Sequence, residues 1–138
     1  MAGRVVLVEK DEELQTNIVK SLRARGVGVD AFSSHDDVVR ALERGVTWAR
    51  GLFALELDGV DGARLAEVAL AHLPELDVIF LTGGGVDAEV LCRAHALGAV
   101  IWKPIGLGLL CERLASPPRR SGVVRKVREG SSRRAGQA

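Results

Sequence analysis

The chain has 138 residues, 47% of them apolar and 27% charged, and a formal net charge of +1. That length accommodates one domain with a buried core plus a short extension. No apolar run approaches a membrane-spanning length, and the start MAGRVVLVEKDE lacks the long apolar stretch of a secretory signal, so a cytoplasmic protein is expected.

Val5–Val8 is a short, continuous apolar run rich in β-branched residues, the mark of a strand buried on both faces. Asp11 then offers an N-cap for a helix striped by Leu14, Ile18 and Leu22, which ends before Gly26. Val27, Val29 and Ala31 form a second strand, and Ser33–Ser34 can cap a second helix carrying Val38, Val39 and Leu42. A third strand is expected over Leu52–Leu57. It is followed by a turn, Asp58 to Gly62, and a helix with Leu65, Val68, Ala69 and His72 on one side. Asp77–Leu81 reads as the fourth strand, followed by Thr82 and the triplet Gly83–Gly85, which suits a mobile loop. A fourth helix is expected over Val86–Leu97, closed by Gly98 in a left-handed cap. Val100–Trp102 is the fifth strand, and Leu107–Leu114 the fifth helix, stopped by Pro117–Pro118. Five strands alternating with five helices through short turns predict a doubly wound α/β fold with a parallel sheet.

The extension differs in composition. Seven of the 19 basic residues lie from Ser116 onward (Arg119, Arg120, Arg125, Lys126, Arg128, Arg133, Arg134), but only one of the 18 acidic residues, Glu129. Two units are therefore expected: a net-acidic domain over 1–115 and a flexible basic tail over 116–138. Such a tail suits an acidic protein face, an anionic membrane or nucleic acid, or serves only to solubilise. It has no aromatic residue to stack on bases. Cys92 and Cys111 fall in apolar helical stretches and are expected to be small buried hydrophobes. No His/Cys grouping has metal-ligand spacing, so no zinc site is expected.

The residues just past four strand-like runs are expected to share one crevice, because the strand ends of an open parallel sheet converge there. They occur in VVLVEKDEEL, LFALELDGVDG, VIFLTGGG and GAVIWKP. In this order they resemble the receiver domain of bacterial response regulators, over about residues 4–115. The resemblance implies the flavodoxin-like strand order 2-1-3-4-5 and a non-enzymatic signalling role in a two-component relay. In that family an acidic pair follows the first strand, a phospho-accepting Asp ends the third, Ser or Thr ends the fourth, and Lys-Pro follows the fifth. Thr82, Lys103 and Pro104 fit the pattern, as does Leu97-Gly98-Ala99.

The chemistry requires these types. A carboxylate attacking a phosphoryl group needs Mg²⁺, which takes hard oxygen ligands from the acids. The lysine ammonium pairs with the phosphoryl oxygens, and the hydroxyl moves inward to bond the acyl phosphate, rearranging the switch surface.

Here the pattern is altered. The acidic pair falls on Glu9 and Lys10, with Asp11 nearby, and the acceptor position on Glu56, with Asp58 as the alternative. The turn after Glu56 is shorter than usual and lacks the family's proline. The family's aromatic position falls on Val100, with Trp102 close by. Lys10 would repel Mg²⁺ and pair with Glu56, and Lys103 would become a partner for Glu56 rather than a sensor of phosphate. These departures predict a pseudo-receiver acting through protein contacts without Mg²⁺-dependent phosphorylation and without a cofactor. A partner or second copy is expected on the face of the fourth helix, fifth strand and fifth helix, contacting Trp102, Ile105 and Leu107. The alternatives are a working phospho-receiver with Mg²⁺ that uses Asp58 or a rearranged site, and a small flavodoxin-like cofactor-binding protein. The latter is disfavoured because the first strand leads into acids that would repel a phosphate.

Overall fold

A computed structural model describes residues 3–116. The elements run β1 (Val5–Val8), α1 (Glu12–Ala24), β2 (Val29–Phe32), α2 (His35–Glu43), β3 (Arg50–Ala54), α3 (Gly62–His72), β4 (Asp77–Thr82), α4 (Ala88–Leu97), β5 (Ala99–Trp102) and α5 (Leu107–Ala115). The strands pair in parallel in the order 2-1-3-4-5, as expected. No helix among the described residues is long and apolar enough to cross a membrane. The basic segment 117–138, with its prolines, lies outside the described residues.

Alternation along the central strands sends side chains into two cores. Val6, Val8, Phe53, Leu55, Val78 and Phe80 join residues of α2, α3 and α4. Val5, Leu7, Leu52, Ile79 and Leu81 join residues of α1 and α5. A strand apolar on both faces satisfies both layers at once, which is why its sequence shows a continuous run rather than alternation. The helices start on side-chain caps: Asp11 accepts from the amides of Glu13 and Leu14, Ser34 from Asp37, Asp61 from Arg64 and Asp87 from Val90.

Three expectations are corrected. β3 starts and ends earlier than read, at Arg50 and Ala54, and Glu56 stands one residue beyond Leu55, whose amide still bonds the Leu81 carbonyl at 2.9 Å. Past Leu55 the chain leaves the ladder: Glu56 turns to Thr82, Leu57 packs against the core and Asp58 stands on the exposed turn. Gly98 is extended, with φ −176°, not left-handed. Its glycine is needed for close approach, since a Cβ there would fall on the Val78 carbonyl oxygen. Gly62 is similarly constrained by the Ala54 carbonyl, which brings the start of α3 onto β3. Cys111 is buried as expected, but Cys92 is exposed, because it lies on the outer side of α4.

One buried charge escaped the sequence reading. Arg50 opens β3 with 2% exposure. Its Nε donates to Asp77 Oδ2 at 2.9 Å, and one terminal nitrogen donates to the carbonyls of Arg113 and Ser116 at 2.6 and 2.9 Å. It thus adds a donor to the Arg113 carbonyl, which also accepts the Ser116 amide at 3.3 Å, and to the carbonyl of the C-cap residue Ser116. This junction lies at the end of the sheet opposite the crevice.

Candidate functional site

The carboxyl ends of β1, β3, β4 and β5 bring Glu9, Glu56, Thr82 and Lys103 to one mouth. Glu9 follows β1 directly and is 2% exposed. Its Oε2 accepts the Asp11 amide at 3.0 Å, and its Oε1 faces Lys103 Nζ at 3.2 Å. Its carbonyl and that of Phe32 both accept from the Gln15 side-chain amide, at 2.8 and 3.0 Å, which ties β1 and β2 to α1. Lys103 is placed by β5, its own amide bonding the Thr82 carbonyl at 2.8 Å, and its peptide to Pro104 is cis.

Glu56 is enclosed from the other side. The Thr82 hydroxyl donates to its Oε2, the Gly83 amide to Oε1 at 3.0 Å, and the Gly85 amide to Oε2 at 3.2 Å. Thr82 Oγ1 in turn accepts the Gly84 amide at 3.0 Å. Burial pushes the Glu56 pKa up, but the Thr82 hydroxyl, the two glycine amides and the Lys103 charge together outweigh it. The carboxyl is therefore held below the ordinary glutamate value. Three glycines in a row permit this wrap: Gly84 adopts φ +94°, and a Cβ on Gly85 would sit 3.4 Å from Glu56 Cγ.

Two predicted pairings are corrected. Lys10 meets Asp58 at 3.3 Å rather than Glu56, and the Asp58 side chain is 90% exposed on the turn. The reason is position: Lys10 is on the exposed outer side of the β1–α1 loop, whereas Glu56 turns towards β4. Lys103 forms its hydrogen bond with Glu9, and its charge is the smallest of the influences on Glu56. The buried Glu9 carboxylate has the greater need of a counter-charge.

Among the proposed contact residues, Trp102 is 50% exposed, with Cζ3 3.2 Å from where a Cβ on Gly84 would stand. Ile105 and Leu107 are partly buried against the α1–α5 core, and Leu109, which the sequence reading passed over, is exposed. Val100 packs into the core beneath α4. Also missed was Arg93 on α4, which meets Asp61 at 3.2 Å and Glu67 at 3.7 Å and so ties α4 to α3. Arg93 and Arg64 line an open cleft with Gly59, Val60, Asp61 and Glu67. Arg64 meets Glu67 on its own helix at 3.4 Å, a spacing present in the sequence, whereas the acids that Arg93 meets on and before α3 become its neighbours only once α3 and α4 are packed.

No family model and no curated protein matches the sequence. Solved structures do. A CheY-like response regulator receiver domain protein from Methanospirillum hungatei superposes with a TM-score of 0.74 at 22% identity, covering 83% of this chain and 91% of that one. The receiver domain of Thermotoga maritima DrrB, in a BeF3-activated form, gives 0.69 at 21% identity, covering 83% and 95%. A response regulator receiver protein from Sinorhizobium medicae gives 0.71 at 19% identity, covering 83% and 94%. With its strand order 2-1-3-4-5 and five flanking helices, this chain has the CheY-like receiver fold.

Proposed function

We propose that this domain is a non-catalytic signalling module of the two-component type, in the cytoplasm, whose switch site is occupied by its own Glu56 carboxylate. The observation that carries the proposal is the set of donors on Glu56: the Thr82 hydroxyl and the amides of Gly83 and Gly85. By the resemblance, a hydroxyl in this place closes on a phosphoryl group carried by a shorter Asp side chain. One extra methylene lets a glutamate deliver its negative oxygens to the same donors without a phosphate. The β4–α4 loop is then held in one engaged arrangement, and signalling proceeds through protein contact on the α4–β5–α5 face around Trp102.

The donor set does not suit the Mg²⁺ that the fold family implies. The second acidic position is the cation Lys10, and the Glu9 carboxylate is committed to Lys103 and the Asp11 amide. Among the described residues no group of three or more His, Cys, Asp or Glu side chains is arranged to hold a metal. An ammonium beside the acids opposes a divalent ion at close range.

The experiment is incubation of the full chain with acetyl phosphate and Mg²⁺, followed by intact mass. The expected result is no adduct and no Mg²⁺-dependent change in Trp fluorescence. A stoichiometric phosphate adduct would overturn the proposal, and its loss in Asp58→Ala would place a working acceptor there.

A further inference from the structure

We propose that the end of the domain opposite the crevice, together with the segment 117–138, docks on the phosphate backbone of double-stranded DNA. The inference goes beyond the reading of Glu56 and does not depend on it.

The topology sorts the charges of the chain. Parallel strands joined by helices that run back place the helix starts beside the crevice and the helix ends at the opposite pole. At the crevice end, residues 9–13, 36–37, 56–61 and 87–89 carry eleven acids, against Lys10 and Lys103, which are both paired. Four bases towards the opposite pole lack an acid partner. Lys20 and Arg23 in the last two turns of α1, Arg25 at its C-cap and Arg44 at the C-cap of α2 are exposed. None has a carboxylate within ion-pair distance among the described residues, whereas seven other described bases do. Cations at helix ends complement the macrodipole, which accounts for their place but not for their lack of partners. The exposed acids at this pole are Glu43, Glu75 and Glu112.

The segment 117–138 leaves from the same pole. The Arg50 side chain holds the Ser116 carbonyl at 2.9 Å beside the start of β3, so the seven bases of the segment follow on from the four that stand unpaired. A segment of this length spans at most about 75 Å, or roughly two turns of duplex.

DNA fits this surface better than other anionic partners do. Nine of the eleven bases are arginine, whose planar fork matches phosphate oxygens two at a time. The steps Arg119–Arg120 and Arg133–Arg134 are flanked by Pro118, Ser121, Ser132 and Ala135, which are small enough to follow a minor groove. A bilayer calls for a large apolar anchor. The segment has no apolar side chain larger than valine, and the exposed large apolar residues of the domain, Trp102 and Leu109, stand towards the crevice end. Without an aromatic residue the segment has no platform for the bases of a single strand. The same phosphates repel the acidic crevice end, so the protein docks with its crevice facing away from DNA and open to a partner.

The test is titration of the full chain onto a fluorescently labelled duplex of about 20 base pairs, followed by anisotropy between about 50 and 200 mM salt. With about six phosphates neutralised, affinity falls roughly a thousandfold over that range. Combining Arg23→Gln, Arg25→Gln and Arg44→Gln lowers the log–log salt slope by about three, one for each charge. Arg23→Lys, Arg25→Lys and Arg44→Lys together keep the slope and bind somewhat more weakly, which separates lost charge from a fault of folding. Arg133→Gln with Arg134→Gln lowers the slope by about two.

No binding at about 50 mM salt overturns the proposal. A triple Gln variant with the slope of the parent overturns it as well, because the folded pole is then no part of the surface. Tighter binding at equal salt to vesicles of phosphatidylcholine and phosphatidylserine than to the duplex makes a bilayer the occupant and refutes DNA. A gain of about tenfold in DNA affinity on Glu12→Gln with Glu13→Gln means that the segment is held on the acidic end of its own domain, which refutes the oriented docking.

Discussion

Replacing Lys103 by Met tests whether the crevice is held by charge pairing or merely tolerates it. The substitution keeps most of the aliphatic stem and removes the ammonium 3.2 Å from Glu9 Oε1. The Glu9 side chain is 3% exposed and the Lys103 side chain 28%, so an almost buried carboxylate loses its counter-charge and keeps the Asp11 amide. Breaking a fully buried pair costs about 3–5 kcal/mol. With water able to approach from the Lys103 side, a loss of about 2–3 kcal/mol at neutral pH is expected. For a domain of this size that lowers Tm by roughly 10–20 °C. Adding Glu9→Gln removes the charge and restores most of the stability. The assay is urea unfolding of the four members of the cycle at pH 7, followed by Trp fluorescence. If Lys103→Met lies within about 0.5 kcal/mol of the parent at pH 7, or if Glu9→Gln fails to rescue it, charge pairing does not hold the crevice.

Three further outcomes are expected. Arg50→Met strands the Asp77 carboxylate and removes the side-chain donor to the Arg113 and Ser116 carbonyls, costing about 3 kcal/mol by denaturant unfolding, while Arg50→Met with Asp77→Leu recovers much of the loss. The Glu56 pKa is depressed in the folded chain, so its contribution is present above the unfolded value and is lost as pH falls through the folded one; an NMR titration of the Gly83 and Gly85 amides should have its midpoint below the ordinary glutamate value, and Lys103→Met should move it up. Lys10→Asp combined with Glu56→Asp restores an acid pair and a short nucleophile, and intact mass after incubation with acetyl phosphate and Mg²⁺ should then show an adduct that the parent lacks.

Much of the framework was legible before any folding because it depends on local rules. Continuous apolar runs mark strands buried on both faces, and Asp11, Ser34, Asp61 and Asp87 mark helix starts because each side chain can accept an orphan amide. The register of four chemical residues at strand ends followed from those runs. The end of β3 is not legible in the sequence, because Leu57 extends the apolar pattern beyond the last ladder residue and periodicity contains no information on where a neighbouring strand stops. Gly98 suggests a left-handed cap in the sequence because a glycine after a helix most often serves that purpose. The carbonyl of Val78, twenty residues away in the chain, makes glycine necessary there for another reason.

The sequence by itself determined which strand ends carry Glu9, Glu56, Thr82 and Lys103 to the crevice, and the substitution of a cation, Lys10, and a glutamate into the family pattern is a fact of composition. Tertiary structure alone decided who pairs with whom. Lys103 goes to Glu9, Lys10 goes to Asp58, and Glu56 is left to a hydroxyl and two glycine amides. The physical reason is that pairing depends on burial and direction as well as charge. A carboxylate with almost no contact with water takes the nearest ammonium, and one facing a glycine loop can be satisfied by backbone dipoles; neither condition exists until the strands lie side by side.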